Sequence, residues 1–561
     1  MDLMRRRSIE ASLAATGEPE RHLKRTLGPG NLIVLGISVV VGAGIFSKAA
    51  VVSATQSGPA VIISFLIAGI VCALAALCYA EFASHIPVAG SAYTFSYASM
   101  GEFIAWIIGW DLILEMFFAA AVVTKAWGQY LDGLFQVFGW QTGSYADGTI
   151  AGIRNTIVIG GVECDVFNIL LIAVLTCLVA FGTKLSANFS AVLTVIKVAI
   201  VLFIVVVGLT YFEASKLTPF VPEAVPTAEV ELAKQSLFSV LTGAGNSTFG
   251  YYGVLAGAGT IFFAFIGFDV VATAAEETRN PKRNVPIGIL GGLGVCLVLY
   301  VLVSIALSGM ATPAELVAEA GTGAQATILT AFAVHGVTWP AQIIAVGIIV
   351  GLTTVVMVLL LGAVRIIFAM SRDGLLPRSM SITSGKTGTP VLITIGIGVI
   401  IAIASAFFPI DLLGDMVNIG TLSAFVLVSF GVPILRKRRR EAPEHLDGYQ
   451  VPFSPVLPVI SGLACIWLML QLNVETWGRF IIWLVIGLLI YFGYGYRNSQ
   501  LQKHPEDIAK NYSHALVGLV DPNTELDDAE FPFAAEKASD GKHRQYGDQK
   551  PGSPKENPAK N

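Results

Sequence analysis

From residue 31 to residue 496 the chain alternates apolar runs with short polar connections. Twelve runs read as membrane-spanning helices, at 31–54, 58–83, 102–124, 166–180, 187–211, 251–274, 285–309, 338–370, 390–408, 412–435, 455–473 and 478–496, numbered here spans 1 to 12. An α-helix needs about 20 apolar residues to cross roughly 30 Å of hydrocarbon. Span 4 has fifteen and is expected to extend into its flanks. Span 8 exceeds the need of a bilayer and is expected to tilt or project beyond it. The pattern predicts an all-α polytopic membrane protein.

Two of the runs are interrupted. Span 6 contains Phe262-Phe-Ala-Phe-Ile-Gly-Phe-Asp269, which places a glycine and a carboxylate near the middle of an apolar segment. Span 1 contains Val41-Gly-Ala-Gly-Ile-Phe46. Glycine weakens a helix interior by roughly 0.5–1 kcal/mol relative to Ala. A helix unwound at Gly42–Gly44 leaves N–H and C=O groups unpaired at membrane depth, where they persist only if they line a cavity or bind something. Amides opening the outer half-helix suit a carboxylate, because that end carries the positive pole, and carbonyls closing the inner half suit an ammonium. The alternative is a close-packing seam of small residues. Interruptions at matching places in two halves of a membrane protein favour a transporter binding site.

Composition agrees with a membrane protein. Of 561 residues, 54% are hydrophobic and 13% charged, and mean hydropathy is +0.71. Soluble domains carry about 25% charged residues. The net charge of −4 gives no reason to expect a nucleic-acid partner, and nothing implies a partner protein. The six cysteines show no metal-ligand spacing and read as small buried residues, so no metal and no cofactor are expected. The positions of Lys and Arg set orientation. They gather in the connections after spans 4, 6, 8 and 10, including Arg436-Lys-Arg-Arg-Arg440, whereas the opposite side holds Lys48, Lys125, Arg154, Lys216, Lys234 and Arg479. Both termini are therefore expected to be cytoplasmic in a multi-pass protein of the cell membrane. Residues 1–30 form a basic arm without a signal-peptide core. Residues 499–561 are too poor in apolar groups to offset their ordering entropy and read as a disordered cytoplasmic tail.

Several stretches in order resemble the amino acid–polyamine–organocation superfamily, most closely its cationic amino acid transporter branch with proton-coupled bacterial members. They are Gly36–Phe46, Tyr79–Phe82, Pro87–Tyr93, Gly109–Glu115, Phe262–Asp269, Glu276–Pro281 with Val285-Pro286, and Arg365 with Ala369–Pro377. The likeness spans roughly residues 25–500. It implies a five-plus-five inverted repeat, 31–211 and 251–435, with discontinuous helices 1 and 6. A 212–250 extracellular connection joins the repeats, and two extra spans lie within 436–498. It further implies that a substrate carboxylate meets amides near Ala43 and Gly44, and its ammonium meets carbonyls near Val40, Phe263 and Ile266. Gly42, Ile45, Phe265 and Gly267 complete that substrate set. Relatives often carry Ser at position 43; Ala43 lacks the hydroxyl but keeps the amide.

Charges within spans cost about 2.5–3.5 kcal/mol even on insertion scales, so each needs a reason. Lys197 sits mid-span in span 5 with no acid nearby in sequence. In the family a lysine at the matching place resembles a built-in substitute for a sodium ion, changing protonation with the transport cycle. Glu115 on span 3 is the expected partner, either in coupling, in substrate contact or in a structural salt bridge. Asp111 lies one turn before it on the same face. Asp269 suits either the inner gate or a capping role, and Phe262 a lid over the substrate. Thr353 and Thr354 on span 8 stand where sodium-coupled relatives of the wider fold place ligands; with Lys197 present they are expected to pack or hydrogen-bond around the lysine. Glu276, Glu277, Arg279 and Arg283 read either as solvated loop charges or as a latch on the inner gate.

An enzyme would need a nucleophile–base set or metal ligands, and the seven histidines are scattered. No GxxxxGK[ST] phosphate loop occurs to support ATP-driven transport. The expected function is secondary transport of amino acids, coupled to protons, with sodium-coupled or exchange transport as the alternative. If Glu115 is committed to Lys197, little acid remains for a cationic side chain, which favours neutral or broad specificity.

Overall fold

The computed structural model describes residue 5 and residues 27–85, 91–138, 156–159, 162–181, 187–226, 231–243, 247–275, 278–321, 325–384, 389–441 and 448–503. Glu276, Glu277, residues 1–4 and 6–26 of the N-terminal arm, residues 87–90 and the tail beyond 503 lie outside them. Among the described residues, eight helices are long and apolar enough to cross a membrane, and four shorter apolar helices accompany them at Pro29–Val40, Val166–Ala180, Val391–Phe407 and Val456–Leu470. Side chains such as Val195, Val206, Ile482 and Leu489 face outward. An apolar exterior of this kind is stable against lipid, not water.

The expected boundaries hold within a few residues at most spans, with instructive exceptions. Span 4 does not extend into its N-terminal flank. Its helix, Val166–Ala180, begins where strand Val162–Asp165, paired with Thr156–Ile159, ends. Span 3 runs well past its expected end, as helix Glu102–Val137. Lys125 is therefore a helix residue, and its ammonium meets Asp165 at 2.7 Å. Lys48 is likewise within span 1 and only 3% exposed. Span 8 is helix Trp339–Arg372, longer than a bilayer requires. The 312–337 connection holds two short helices, Pro313–Ala320 and Ile328–Ala333, each opened by a threonine capping box.

Span 3 is central: span 8 and span 10 (Ile410–Glu441) both pack along it. Span 7 (Pro281–Met310) packs along span 2 (Val61–His85) and the inner half of span 1. Two charge clusters fasten helix ends. Glu81 at the end of span 2 takes two bonds of 2.7 Å from Arg436 and one from the Val451 amide. Arg5 reaches Glu102 at 2.7 and 2.9 Å and lies 4.6 Å over the Tyr496 ring. Glu102 also accepts hydroxyl bonds from Tyr97, Tyr491 and Ser499.

Candidate functional site

The chain in span 1 is helical from Pro29 to Val40, leaves the helix at Val41 (φ −72°, ψ 89°) and resumes at Gly44 as a wider π-turn, Gly44–Lys48. In an unbroken helix the Ser38 carbonyl would accept from the Gly42 amide. The break frees that carbonyl, and Lys197 takes it, its ammonium 2.7 Å from Ser38 O. A positive group at a helix C-terminus opposes the negative pole there. Lys197 is 1% exposed. Span 8 makes room for its stem at Gly351, where a Cβ would lie 3.1 Å from Lys197 Cγ.

Span 6 is α-helical over Gly250–Ile261, tightens over Phe262–Phe265, and opens at Ile266 (ψ 140°) and Gly267 before Val270–Thr273. Gly267 has φ 112°, a conformation that side chains rarely adopt, and a Cβ there would meet Val39 at 2.6 Å. The two breaks touch directly. A Cβ on Gly44 would fall 2.1 Å from Ala264 Cα, so that contact is backbone on backbone. The Tyr300 hydroxyl of span 7 lies 2.7 Å from Val40 O and 3.0 Å from Ala264 O. It has one proton to donate, so it satisfies one of these carbonyls at a time. Tyr300 was not singled out from the sequence.

Val40, Gly42, Ala43, Gly44 and Ile45 are thus gathered at one break, and Phe263, Ile266 and Gly267 at the other. Among the described residues the Gly42 amide has no backbone acceptor, and the first amides of the resumed helix lack intrahelical acceptors by construction. The Phe263 carbonyl accepts from the Ile266 amide at 3.3 Å. Phe265 departs from the set: its ring packs against Phe65 and Tyr300, in the core between spans 2 and 7. Phe262 is fully buried edge-on against Phe425 of span 10.

Glu115 and Lys197 do not pair. The lysine is bonded to the inner half of span 1, beside spans 7 and 8, whereas Glu115 faces spans 6 and 10. Both Glu115 oxygens are buried without a hydrogen-bond partner. Its electrostatic neighbours are Asp269, Thr421 and Asp111. Asp269 follows the span 6 break; its carboxylate interacts with the backbone amides of Asp269 and Val270, yet neither oxygen forms a hydrogen bond of good geometry. Asp111 accepts from Ser423 at 2.8 Å with one oxygen, and its other is unpartnered. Tyr79 and Thr421 add unpartnered buried hydroxyls, and Tyr79 feels the charge of all three acids. The Tyr79 ring meets Phe268 at 5.8 Å and Phe425 at 5.1 Å, an aromatic wall for the group. Buried polar atoms without partners are few in folded proteins. Carboxylates so placed need a proton or a cation.

Thr353 and Thr354 do not surround the lysine with their hydroxyls. Each bonds a carbonyl of its own helix, Ile349 and Gly351. On the opposite side of the break, Tyr130 donates to Phe46 O at 2.6 Å, and Lys48 meets Asp411, at the start of span 10, at 2.5 Å. These ties hold the outer half-helix to spans 3 and 10.

Two broken helices crossing at their breaks within an apolar bundle define a helical membrane permease. Residues 27–491 match the amino acid permease family of the same superfamily, and the chain belongs to it. It is 39% identical over 504 residues to the methylthioribose transporter of Bacillus subtilis (strain 168), covering 89% of this chain and 99% of that protein. It is 38% identical over 501 residues to the branched-chain amino acid permease BcaP of the same organism, with the same coverage. The vacuolar cationic amino acid transporter 4 of Arabidopsis thaliana is 35% identical over 434 residues, covering 77% of this chain and 67% of that protein.

Proposed function

We propose that this permease carries L-amino acids into the cell by alternating access, as a proton-coupled symporter. The direct contact of the two breaks at Gly44 and Ala264, with Tyr300 between the carbonyls of Val40 and Ala264, carries the reading. A zwitterion needs donors for its carboxylate and acceptors for its ammonium within a few ångströms, and crossed helix breaks supply both. The carboxylate sits on the amides of Ala43 and Gly44. The ammonium competes with Tyr300 for the carbonyl of Val40 and draws on those of Phe263 and Ile266. Lys197 and the Glu115–Asp269 pair exchange protons with the transport cycle, Lys197 because it holds the broken end of span 1. Asp269 and Phe262 gate the site, and Lys48 with Asp411 closes it from the other side.

Twelve spans, ten of them in two inverted five-helix repeats and two following, with both termini in the cytoplasm, fit the apolar runs and the distribution of Lys and Arg. The unpaired acids remove the reason for preferring neutral side chains, because Glu115 is not committed to Lys197. Relatives named for branched-chain amino acids, cationic amino acids and methylthioribose define the panel to test. Uptake of labelled compounds of each class into proteoliposomes is the experiment. Saturable uptake of at least one L-amino acid is expected. Indifference to every amino acid, or uptake of methylthioribose alone, contradicts the proposal.

A further inference from the structure

A cleft of about 500 Å³ lies at the N-terminal end of span 7, away from the helix breaks. Lys282 and Arg283 stand at its rim, Pro286, Ile287, Leu290 and Gly291 form its wall, and Tyr449 from the connection before span 11 faces them. The spacing places Arg283, Ile287, Leu290 and Gly294 along one stripe of the helix. Both cations are exposed, and among the described residues neither has an ion-pair partner.

The apolar stripe continues beyond the cleft. Ile287 is 40% exposed, and the outward-facing Val295, Val298 and Leu302 extend the line toward the other membrane surface. A Cβ at Gly294 would meet nothing within 4 Å, so the stripe is open there. From Ile287 to Val298 the rise is about 17 Å, close to the hydrocarbon depth of one leaflet. Two exposed cations without an ion-pair partner among the described residues, above a cleft that continues into an apolar stripe about one leaflet long, match a molecule with an anionic head and an acyl tail. A soluble anion would leave the groove unused, and a zwitterionic lipid would bring its own cation toward Lys282 and Arg283.

We propose that this cleft binds one anionic glycerophospholipid. Its phosphate meets Lys282 and Arg283, the Tyr449 ring flanks the head, and an acyl chain follows Ile287, Leu290 and Gly294. The same helix backs the inner half of span 1 nearby: a Cβ on Gly291 would lie 3.0 Å from Ile33, and one on Gly288 2.5 Å from Leu32. The lipid therefore lies beside the seam between span 7 and that half-helix.

Native mass spectrometry of the detergent-purified full-length protein, offered phosphatidylglycerol and phosphatidylcholine in equal amounts, tests this directly. One phosphatidylglycerol is expected to remain bound in preference to phosphatidylcholine. Lys282→Gln with Arg283→Gln should weaken its binding roughly 30-fold, from the usual contribution of each basic residue near an anionic surface. Gly294→Trp keeps both cations but blocks the open stripe below the cleft, and should also release the lipid. Glycerol 3-phosphate, a headgroup without chains, should not compete at the same concentration. Equal retention of the two lipids, an unchanged preference in the double variant or in Gly294→Trp, or displacement by glycerol 3-phosphate would each overturn the proposal.

Discussion

At the scale of single residues, the two glycines of the first break differ in a way that transport and folding can report. A Cβ on Gly42 would meet Val355 at 3.5 Å, an ordinary contact, whereas one on Gly44 would collide with the Ala264 backbone at 2.1 Å. Gly42→Ala is expected to purify as a folded protein with near-native thermal stability, and Gly44→Ala to lose stability or fail to fold. Thermal unfolding of both in detergent checks this, and equal stability would argue against the close crossing. Glu115→Gln offers a second test. Breaking a buried salt bridge costs about 3–5 kcal/mol, but removing an unpaired buried charge does not. The variant should therefore match or exceed the native stability while altering the pH dependence of uptake. A large loss of stability would mean that Glu115 has an ionic partner after all. The glycines and Lys197 were legible in the sequence because each is anomalous in an apolar run. Tyr300 was not, because a tyrosine in such a run is ordinary, and the Val40 carbonyl it bonds lies 260 residues away along the chain. The expected Glu115–Lys197 pair failed for a related reason. Sequence shows that two opposite charges need partners, but not which side of a helix each one faces.

At the scale of elements, the inner half of span 1 ends on Lys197 and the outer half is tied by Tyr130 and Lys48 to spans 3 and 10. The broken helix is thus held separately at its two ends, the condition for one half to move while the other stays. Asp411→Asn removes the charge facing Lys48 and should raise the accessibility of the break from the Lys48 side, read as faster labelling of a cysteine placed at Ala43. Unchanged labelling would mean that the ion pair does not restrain the outer half-helix. Span boundaries were readable wherever a polar connection followed an apolar run. They were missed at span 4, where a hairpin replaces the expected helical flank, and at span 3, whose helix continues through Lys125 because Asp165 neutralises it. An ion pair hides a charge from the lipid, and hydropathy alone cannot register it.

For the whole molecule, a few long-range ties join helix ends that the sequence reads as unrelated. Arg5 and Glu102 connect the N-terminal arm to the start of span 3, with Tyr491, Tyr496 and Ser499 bringing in the end of span 12. Arg5→Ala should cost about 3 kcal/mol by leaving a buried carboxylate without its cation, and Glu102→Gln in the same chain should recover much of it; thermal unfolding reads both. The membrane class and the family were legible from the spacing of apolar runs and a few ordered motifs. The driving ion is a property of the whole cycle. Uptake of a transported amino acid into proteoliposomes, with proton or sodium gradients imposed separately, tests it most directly. Accumulation should follow an inward proton gradient and ignore sodium, and Lys197→Ala should bind the amino acid without accumulating it. Accumulation that follows sodium and is indifferent to pH would contradict the assignment of coupling to Lys197 and to the Glu115–Asp269 pair.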